Sequence, residues 1–243
     1  MVLFGVNFNV FFLMLLKRFK QAISGEEFRT YLCIVLGSTA LIAYNIYKSS
    51  IVVSGTVRHA FFQVASIITT TGYASFDYEL WPIFSQTILV LLMFIGASAG
   101  STGGGIKVSR IILLAKRARQ EVRHYFHPNR VTKIHLDGKV VENEVIKATS
   151  AYLITYVFLF AASVLLVSVN SPDFATAFTS VAATINNIGP GLASVGPTDN
   201  FGFFNAFTKI VLIFDMLVGR LELFPMLILF NPHVWLSKGR KKV

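Results

Sequence analysis

The sequence predicts an all-α membrane protein made of two copies of one unit: a spanning helix, a short re-entrant helix with a polar loop, and a second spanning helix. Three observations carry this expectation. The first is composition: of 243 residues, 54% are hydrophobic and 14% charged, with a mean hydropathy of +0.63. A soluble domain carries about 25% charged residues. The second is the placement of charge. The net charge is +10, yet Lys and Arg cluster at 17–29, 107–147 and 238–242, with none between Gly72 and Ile106 or between Ala148 and Lys209. That asymmetry is the positive-inside pattern of a multi-pass chain. The third is an internal repeat. A shift of 117 positions lays Ala60, Phe61, Val64, Ala65, Ile68 and Gly72 on Ala177, Phe178, Val181, Ala182, Ile185 and Gly189. Internal repeats outweigh any local signal in deciding a fold.

Residues 1–16 are apolar but shorter than the ~20 residues a spanning helix needs. With Lys17, Arg18 and Lys20 behind them, they read as the inner end of an inward helix from a preceding repeat (1–20). Thr30 to Tyr47 is uncharged, with Tyr31, Tyr44 and Tyr47 near its ends, and reads as a span running outward. Cys33 within it is expected to be a small buried hydrophobe, and a lone cysteine supports neither a disulfide framework nor a cysteine metal site.

Ala60 to Ile68 is too short to cross and ends in Thr69, Thr70, Thr71, Gly72 and Tyr73. Its repeat, Phe174 to Ile185, ends in Asn186, Asn187, Ile188, Gly189 and Pro190, with Asp173 placed to favour its N-terminus. Non-helical backbone at this depth survives only where it lines a wet cavity or is buried in protein. Both short helices enter from the side poor in Lys and Arg, so their partially negative C-termini point toward the middle. Loop carbonyls aimed the same way would favour a desolvated monovalent cation. Gly72 and Gly189 supply the unusual backbone angles this requires.

Leu80 to Ile106 begins as a helix and ends in Gly96, Gly100, Gly103, Gly104 and Gly105, with Ser98, Ser101 and Thr102 between them. Each glycine lowers helix stability by ~1 kcal/mol, so a mid-membrane break is expected here. Such breaks mark transport pathways. The competing reading is close helix packing through a GxxxG pair, Gly96 and Gly100. A phosphate loop fails, because Ile106 separates Gly105 from Lys107 and Val108 separates Lys107 from Ser109.

Lys107 to Glu144 reads as a basic polar loop, with a small hairpin expected at Leu136 to Glu142 from its Asp-Gly turn. His124 and His127 within it lack further ligands for a metal. Ala148 to Pro172 is the clearest span. Phe203 to Phe230 is the last, and carries Lys209, Asp215, Arg220 and Glu222 in apolar sequence. Ionisable groups at such depth are functional candidates. Arg220, deep within the run, is expected to be a pore-facing cation, while for Asp215 and for Glu222 a structural ion pair with a neighbouring helix is as ready a reading as a functional role. Nucleic-acid binding is set aside, because an anionic inner leaflet accounts for the basic clusters.

Four motifs in order, TTTGY (69–73), GASAGSTGGGIK (96–107), NNIGPG (186–191) and VGRLELFP (218–225), resemble the Trk/Ktr/HKT superfamily of potassium transporters, closest to the C-terminal half of its bacterial Trk branch. Thr70 to Tyr73 also differs at one place from the start of the TVGYG loop of potassium-channel filters. The resemblance implies a potassium-channel-like fold of four helix–pore-loop–helix repeats around one pore, of which this chain holds the third (27–118) and fourth (145–236). A cytoplasmic basic loop (119–144) would join them and a basic tail (237–243) would follow. It implies filter strands Thr70, Thr71, Gly72, Tyr73 and Asn187, Ile188, Gly189, Pro190, with K⁺ held at Thr70, Thr71, Asn187 and Ile188. It implies a gate made of the loop Gly96, Gly100, Gly103, Gly104, Gly105 and of Arg220 facing it.

It further implies a homodimer in the bacterial inner membrane, multi-pass with a cytoplasmic C-terminus, whose ion is K⁺. No cofactor would be covalently bound, and nucleotide would act only through a TrkA-like cytoplasmic regulatory ring, placed on residues 107–144. The function so implied is potassium uptake, not enzymic catalysis. The alternatives are a sodium-permeable or Na⁺/H⁺-coupled relative, left open by the Asn-Ile-Gly-Pro strand, and a non-conducting half-length subunit. With two repeats where the family has four, the chain is expected to need the N-terminal repeats to complete a pore.

Overall fold

The computed structural model describes residues 1–49, 55–126 and 133–221, a bundle of helices with one short hairpin. α1 (Phe8–Leu15) and α2 (Phe19–Ser24) lead into α3 (Glu26–Lys48). The run expected to be one helix over 1–16 is a 3-10 turn, Val2–Gly5, followed by α1. The reason is Asn7, whose side chain accepts from the Asn9 N–H and caps a fresh helix start.

α3 buries one stripe, Tyr31, Val35, Thr39, Ile42 and Ile46, and exposes Leu36, Leu41 and Tyr44. Cys33 lies off that stripe and is exposed, which corrects its expected burial. α4 (Thr56–Ile68) starts four residues before the expected Ala60, with Gly55 at φ 82 as its N-cap. Every residue from Gln63 to Ile68 is buried, as expected of an apolar helix enclosed on all sides. α5 (Ile83–Phe94) then stops, and α6 (Val108–Phe126) resumes after the glycine-rich stretch.

α6 overturns the reading of 107–144 as loop throughout, and the boundary at 118/119 falls inside it. It is amphipathic: Val108, Ile112 and Leu113 are buried, Leu113 against Ile134 and Ile146, and the basic face is exposed. His124 lies in its last turn, while His127 lies outside the described residues. β1 (His135–Leu136) and β2 (Lys139–Val140) form the expected hairpin, with Asp137 and Gly138 at φ 50 and 77 as a tight turn requires.

α7 (Asn143–Ser168), α8 (Phe174–Ile185) and α9 (Ala206–Leu221) repeat the pattern. α3 and α7 start 117 residues apart, and so do the last residues of α4 and α8. α4 packs on α3 and α5, and α8 on α7 and α9. α3 and α7 are long and apolar enough to cross a membrane. The two units meet through Phe94, Phe160 and Phe178, with ring centroids 5.1 to 6.0 Å apart. α9 starts three residues later than the expected Phe203, after a 3-10 turn that Asn200 caps. Glu222, the end of the fourth unit to 236 and the tail 237–243 lie outside the described residues.

Candidate functional site

Both re-entrant helices end in the same turn. After α4, the Thr70 N–H donates to Ile67 O (3.0 Å) and the Thr71 N–H to Ser66 O (2.8 Å). After α8, the Asn187 N–H donates to Thr184 O (2.9 Å) and the Ile188 N–H to Ala183 O (2.8 Å). This is a Schellman cap, which needs a left-handed residue at its fifth position. Thr70 (φ 53) and Asn187 (φ 56) fill it. Asn tolerates that region, but a β-branched Thr is held there at a cost of about 1–2 kcal/mol. Two residues on, Gly72 and Gly189 are again at positive φ, 77 and 117. Reversing the hand of the backbone at alternate residues turns successive carbonyls toward one side, whereas a strand of uniform hand alternates them.

The two turns lie against each other. A Cβ on Gly72 would sit 2.0 Å from the Ile188 carbonyl oxygen and 3.3 Å from the Pro190 ring. Gly189 has Gly72 Cα as its neighbour, 3.9 Å from its own absent Cβ. The Ile188 side chain is buried in the core of the first unit. Tyr73 is exposed, and its carbonyl accepts from Ser66 Oγ (2.6 Å). Thr69 and Thr71 share a hydroxyl hydrogen bond (2.8 Å). The Asn187 amide donates to Met216 O in α9 (3.1 Å), and Asn187, Ile188 and Gly189 line a cavity of about 670 Å³ with Lys209, Leu212 and Met216.

The glycine-rich stretch is the expected break, and it lies directly on these turns. Its two limbs close on each other: the Gly96 N–H donates to Ile106 O (2.9 Å), and a Cβ on Gly96 would meet Gly104 O at 2.2 Å. The GxxxG packing reading gives way here, because Gly96 meets its own loop and not another helix. The Gly104 N–H donates to Thr70 Oγ1 (2.9 Å), and its Cα lies against Asn186 O, where a Cβ would approach to 2.6 Å. Gly103 lies close to Ala97 and Thr69 O, Gly105 to Gly96 and the Asn186 side chain, and Gly100 to Asn7. Lys107 Nζ donates to Gly103 O. Arg220 Nη1 donates to Thr102 O (3.2 Å). The loop, Lys107, Arg110, Tyr152 and Arg220 line a second cavity of about 320 Å³.

The other intramembrane charges fall differently from expectation. Asp215 is fully buried and accepts from Ser163 Oγ (2.7 Å), so among the described residues its partner is a hydroxyl and not the cation an ion pair needs. Lys209, three residues into α9, donates to Gly202 O (2.9 Å). At the end away from α6, Asp173 caps α8 through the Thr176 N–H (2.6 Å), and Tyr78 Oη donates to Gly191 O (2.7 Å). Burial, then the Glu79 and Asp77 carboxylates, push the Tyr78 hydroxyl up and keep it a donor. Burial, then Asp77 and Asp199, push the neighbouring Glu79 carboxyl up.

Sequence reasoning passed over several contributors. Tyr156 Oη donates to Asn186 Oδ1 (3.0 Å) behind the second turn, inside the core. Gly219 brings α9 onto the end of α8, where a Cβ would sit 1.7 Å from Ile185 O. Glu27 Oε1 accepts from the Ala99 N–H (2.6 Å) in the loop. A small residue beside Arg220 was the one available signal; Glu27 sits in a charged stretch, Glu26 to Arg29, where nothing sets it apart.

Comparison with known proteins gives the context. The chain is 38% identical over 237 residues to the Trk system potassium uptake protein TrkH of Escherichia coli (strain K12), covering 95% of this chain and 48% of that protein. It is 31% identical to TrkG of the same organism over 238 residues, 97% of this chain and 49% of TrkG. The crystal structure of the potassium transporter TrkH from Vibrio parahaemolyticus superimposes with a TM-score of 0.87 at 34% identity, over 96% of this chain and 51% of that one. The chain thus spans about half the length of the curated relatives it matches. The family model TrkH, described as a cation transport protein, matches residues 2–236, and the chain belongs to that family.

Proposed function

We propose that the chain forms two of the repeats lining a potassium pore in a Trk-type uptake system of the bacterial inner membrane. Residues 70–73 and 187–190 are its two filter strands, with K⁺ held by carbonyls at Thr70, Thr71, Asn187 and Ile188. The observation that carries this reading is the meeting of two capped helix ends, each followed by a glycine at positive φ, with Gly72 packed against the Ile188 carbonyl. Helix C-termini at that point favour a cation. The acids Asp77, Glu79 and Asp199 gather at the proposed outer mouth and draw cations in. No covalent chemistry is involved, and inward flow of one charge gains ~2.3 kcal/mol per 100 mV.

Beneath the filter, the loop 96–105 is the gate, and Arg220, bonded to Thr102 O, places positive charge in the path. The basic end of α6 and the hairpin face the cytoplasm and receive a nucleotide-binding regulatory ring. The working unit is a homodimer, each pore completed by two further repeats.

The test is rescue of a potassium-uptake-deficient bacterium at low external potassium by the complete four-repeat protein. Rescue is expected for the unaltered protein and lost for Gly72→Asp and Gly189→Asp. Rescue by well-expressed Asp variants would remove the filter assignment. Rubidium and sodium competition in the same cells reads the selectivity.

A further inference from the structure

The glycine-rich loop is tied down by a carboxylate that is not among the proposed filter and gate residues. Glu27 lies in the first turn of α3 and is only 7% exposed. Its Oε1 accepts from two backbone N–H groups, that of Ala99 (2.6 Å) and that of Ser109 (3.2 Å). Ala99 belongs to the leading limb of the loop, and Ser109 to the first turn of α6. One oxygen therefore clasps both sides of the break. The Ser109 N–H is among the donors a helix start leaves open. Two helix N-termini, of α3 and of α6, converge on this carboxylate and stabilise its charge in a buried place.

The neighbouring residue connects the clasp to the basic end. The Glu26 N–H donates to Asp137 Oδ1 (2.5 Å) in the hairpin. Lys116 Nζ of α6 donates to Glu26 Oε2 (2.5 Å) and to His135 O (2.6 Å). Hairpin, α6 and the start of α3 thus form one cluster that ends, through Glu27, on the intramembrane loop.

We propose that Glu27 is a positioning residue that holds the glycine-rich loop against α3, and that the hairpin 135–140 sets the loop's position through it. The effect on ion flow rests on the pore reading above; the effect on the loop does not.

The experiment uses the complete transporter in proteoliposomes, with Glu27→Ala, Glu27→Gln and Asp137→Gly compared with the unaltered protein. Two readouts are taken: amide hydrogen exchange over residues 96–109, and potassium uptake without a regulatory partner. Removing a charge-assisted acceptor from two N–H groups is expected to raise exchange at Ala99 and Ser109 roughly tenfold or more in Glu27→Ala. The increase should be smaller in Glu27→Gln, which keeps an oxygen but no charge. Asp137→Gly, which fits the turn's positive φ, should raise exchange at Ala99 by roughly twofold to fivefold. Maximal uptake should rise several-fold in Glu27→Ala with KM for potassium unchanged, because KM belongs to the filter.

Unchanged exchange in both Glu27 variants overturns the clasp. Unchanged exchange in Asp137→Gly overturns the connection to the hairpin. If Glu27→Ala does not accumulate, the Gln variant decides by the same exchange criterion. A changed KM with unchanged maximal uptake overturns the positioning role. Raised exchange with no uptake by any version, the unaltered protein included, leaves the clasp standing and removes the pore reading instead.

Discussion

In the first unit the turn after α4 is held by hydroxyls; in the second the turn after α8 is held by amides and a tyrosine. Thr69, Thr70 and Thr71 satisfy one another, the end of α4 and the Gly104 N–H. Asn186 and Asn187 instead reach Ala182 O, Tyr156 and Met216 O. Yet the two backbone hydrogen bonds that make the cap agree to within 0.1 Å between the units. The Schellman cap and the placed glycine fix the path of the chain, and the side chains need only find partners for their own polar atoms. The units diverge after the turns. α5 stops at Phe94 and gives way to the loop, whereas α9 runs unbroken past the equivalent position to Leu221. The unbroken helix is what brings Gly219 and Arg220 to the level of the other unit's loop.

The sharpest way to break the likeness of the two turns is to place the same methyl group on both glycines. In Gly72→Ala the new carbon would lie 2.0 Å from Ile188 O, a backbone atom that can move only if the second turn moves. A cost of roughly 3 kcal/mol or more and loss of uptake are expected. In Gly189→Ala the nearest atom outside its chain neighbours is 3.9 Å away, so only the strain of φ 117 remains, about 1–2 kcal/mol. Thermal unfolding in detergent, followed by fluorescence size exclusion, gives the order. Equal losses in the two variants would show that the turns do not meet as described.

A second contrast sets a glycine of α9 against one of α3. Gly219→Ala would press a methyl into Ile185 O, 1.7 Å away, and push α9 off the end of α8. About 2–3 kcal/mol of destabilisation is expected, together with lost contact between Arg220 and Thr102 O. Gly37, exposed on α3, has nothing within 4 Å, and Gly37→Ala should stabilise by about 0.5–1 kcal/mol through helix propensity alone. The two melting temperatures should therefore move in opposite directions.

Much of this was legible in the sequence, and the reasons are physical. The offset of 117 located both turns because the helix between cap and core tolerates few substitutions where it is buried all round. The glycine cluster announced its break through propensity. The limits of the helices were less readable. Polar Thr56, Arg58 and His59 look like loop but form the first turn of α4, since a short helix can carry polar residues where it leaves the core. α6 hid in a basic segment because three buried apolar residues suffice to seat it. Glu27 and Tyr156 were silent: each acts through a backbone or amide group far away in sequence, and nothing local marks a side chain whose partner lies 72 or 30 residues on.

The smallest effect separates the two ways of holding a turn. Tyr156→Phe removes the hydroxyl that donates to Asn186 Oδ1, and Asn186 is fully buried. An acceptor stranded in the core costs about 1–3 kcal/mol. Ser66→Ala removes the hydroxyl that donates to Tyr73 O, but Tyr73 is 68% exposed and water can take the vacated place. Less than ~1 kcal/mol is expected there. If the turns are equivalent scaffolds held by different chemistry, Tyr156→Phe should lower the melting temperature more than Ser66→Ala while both keep potassium uptake measurable. A larger loss from Ser66→Ala would mean that the Tyr73 carbonyl is dry, and that the first turn, not the second, is the one sealed from water.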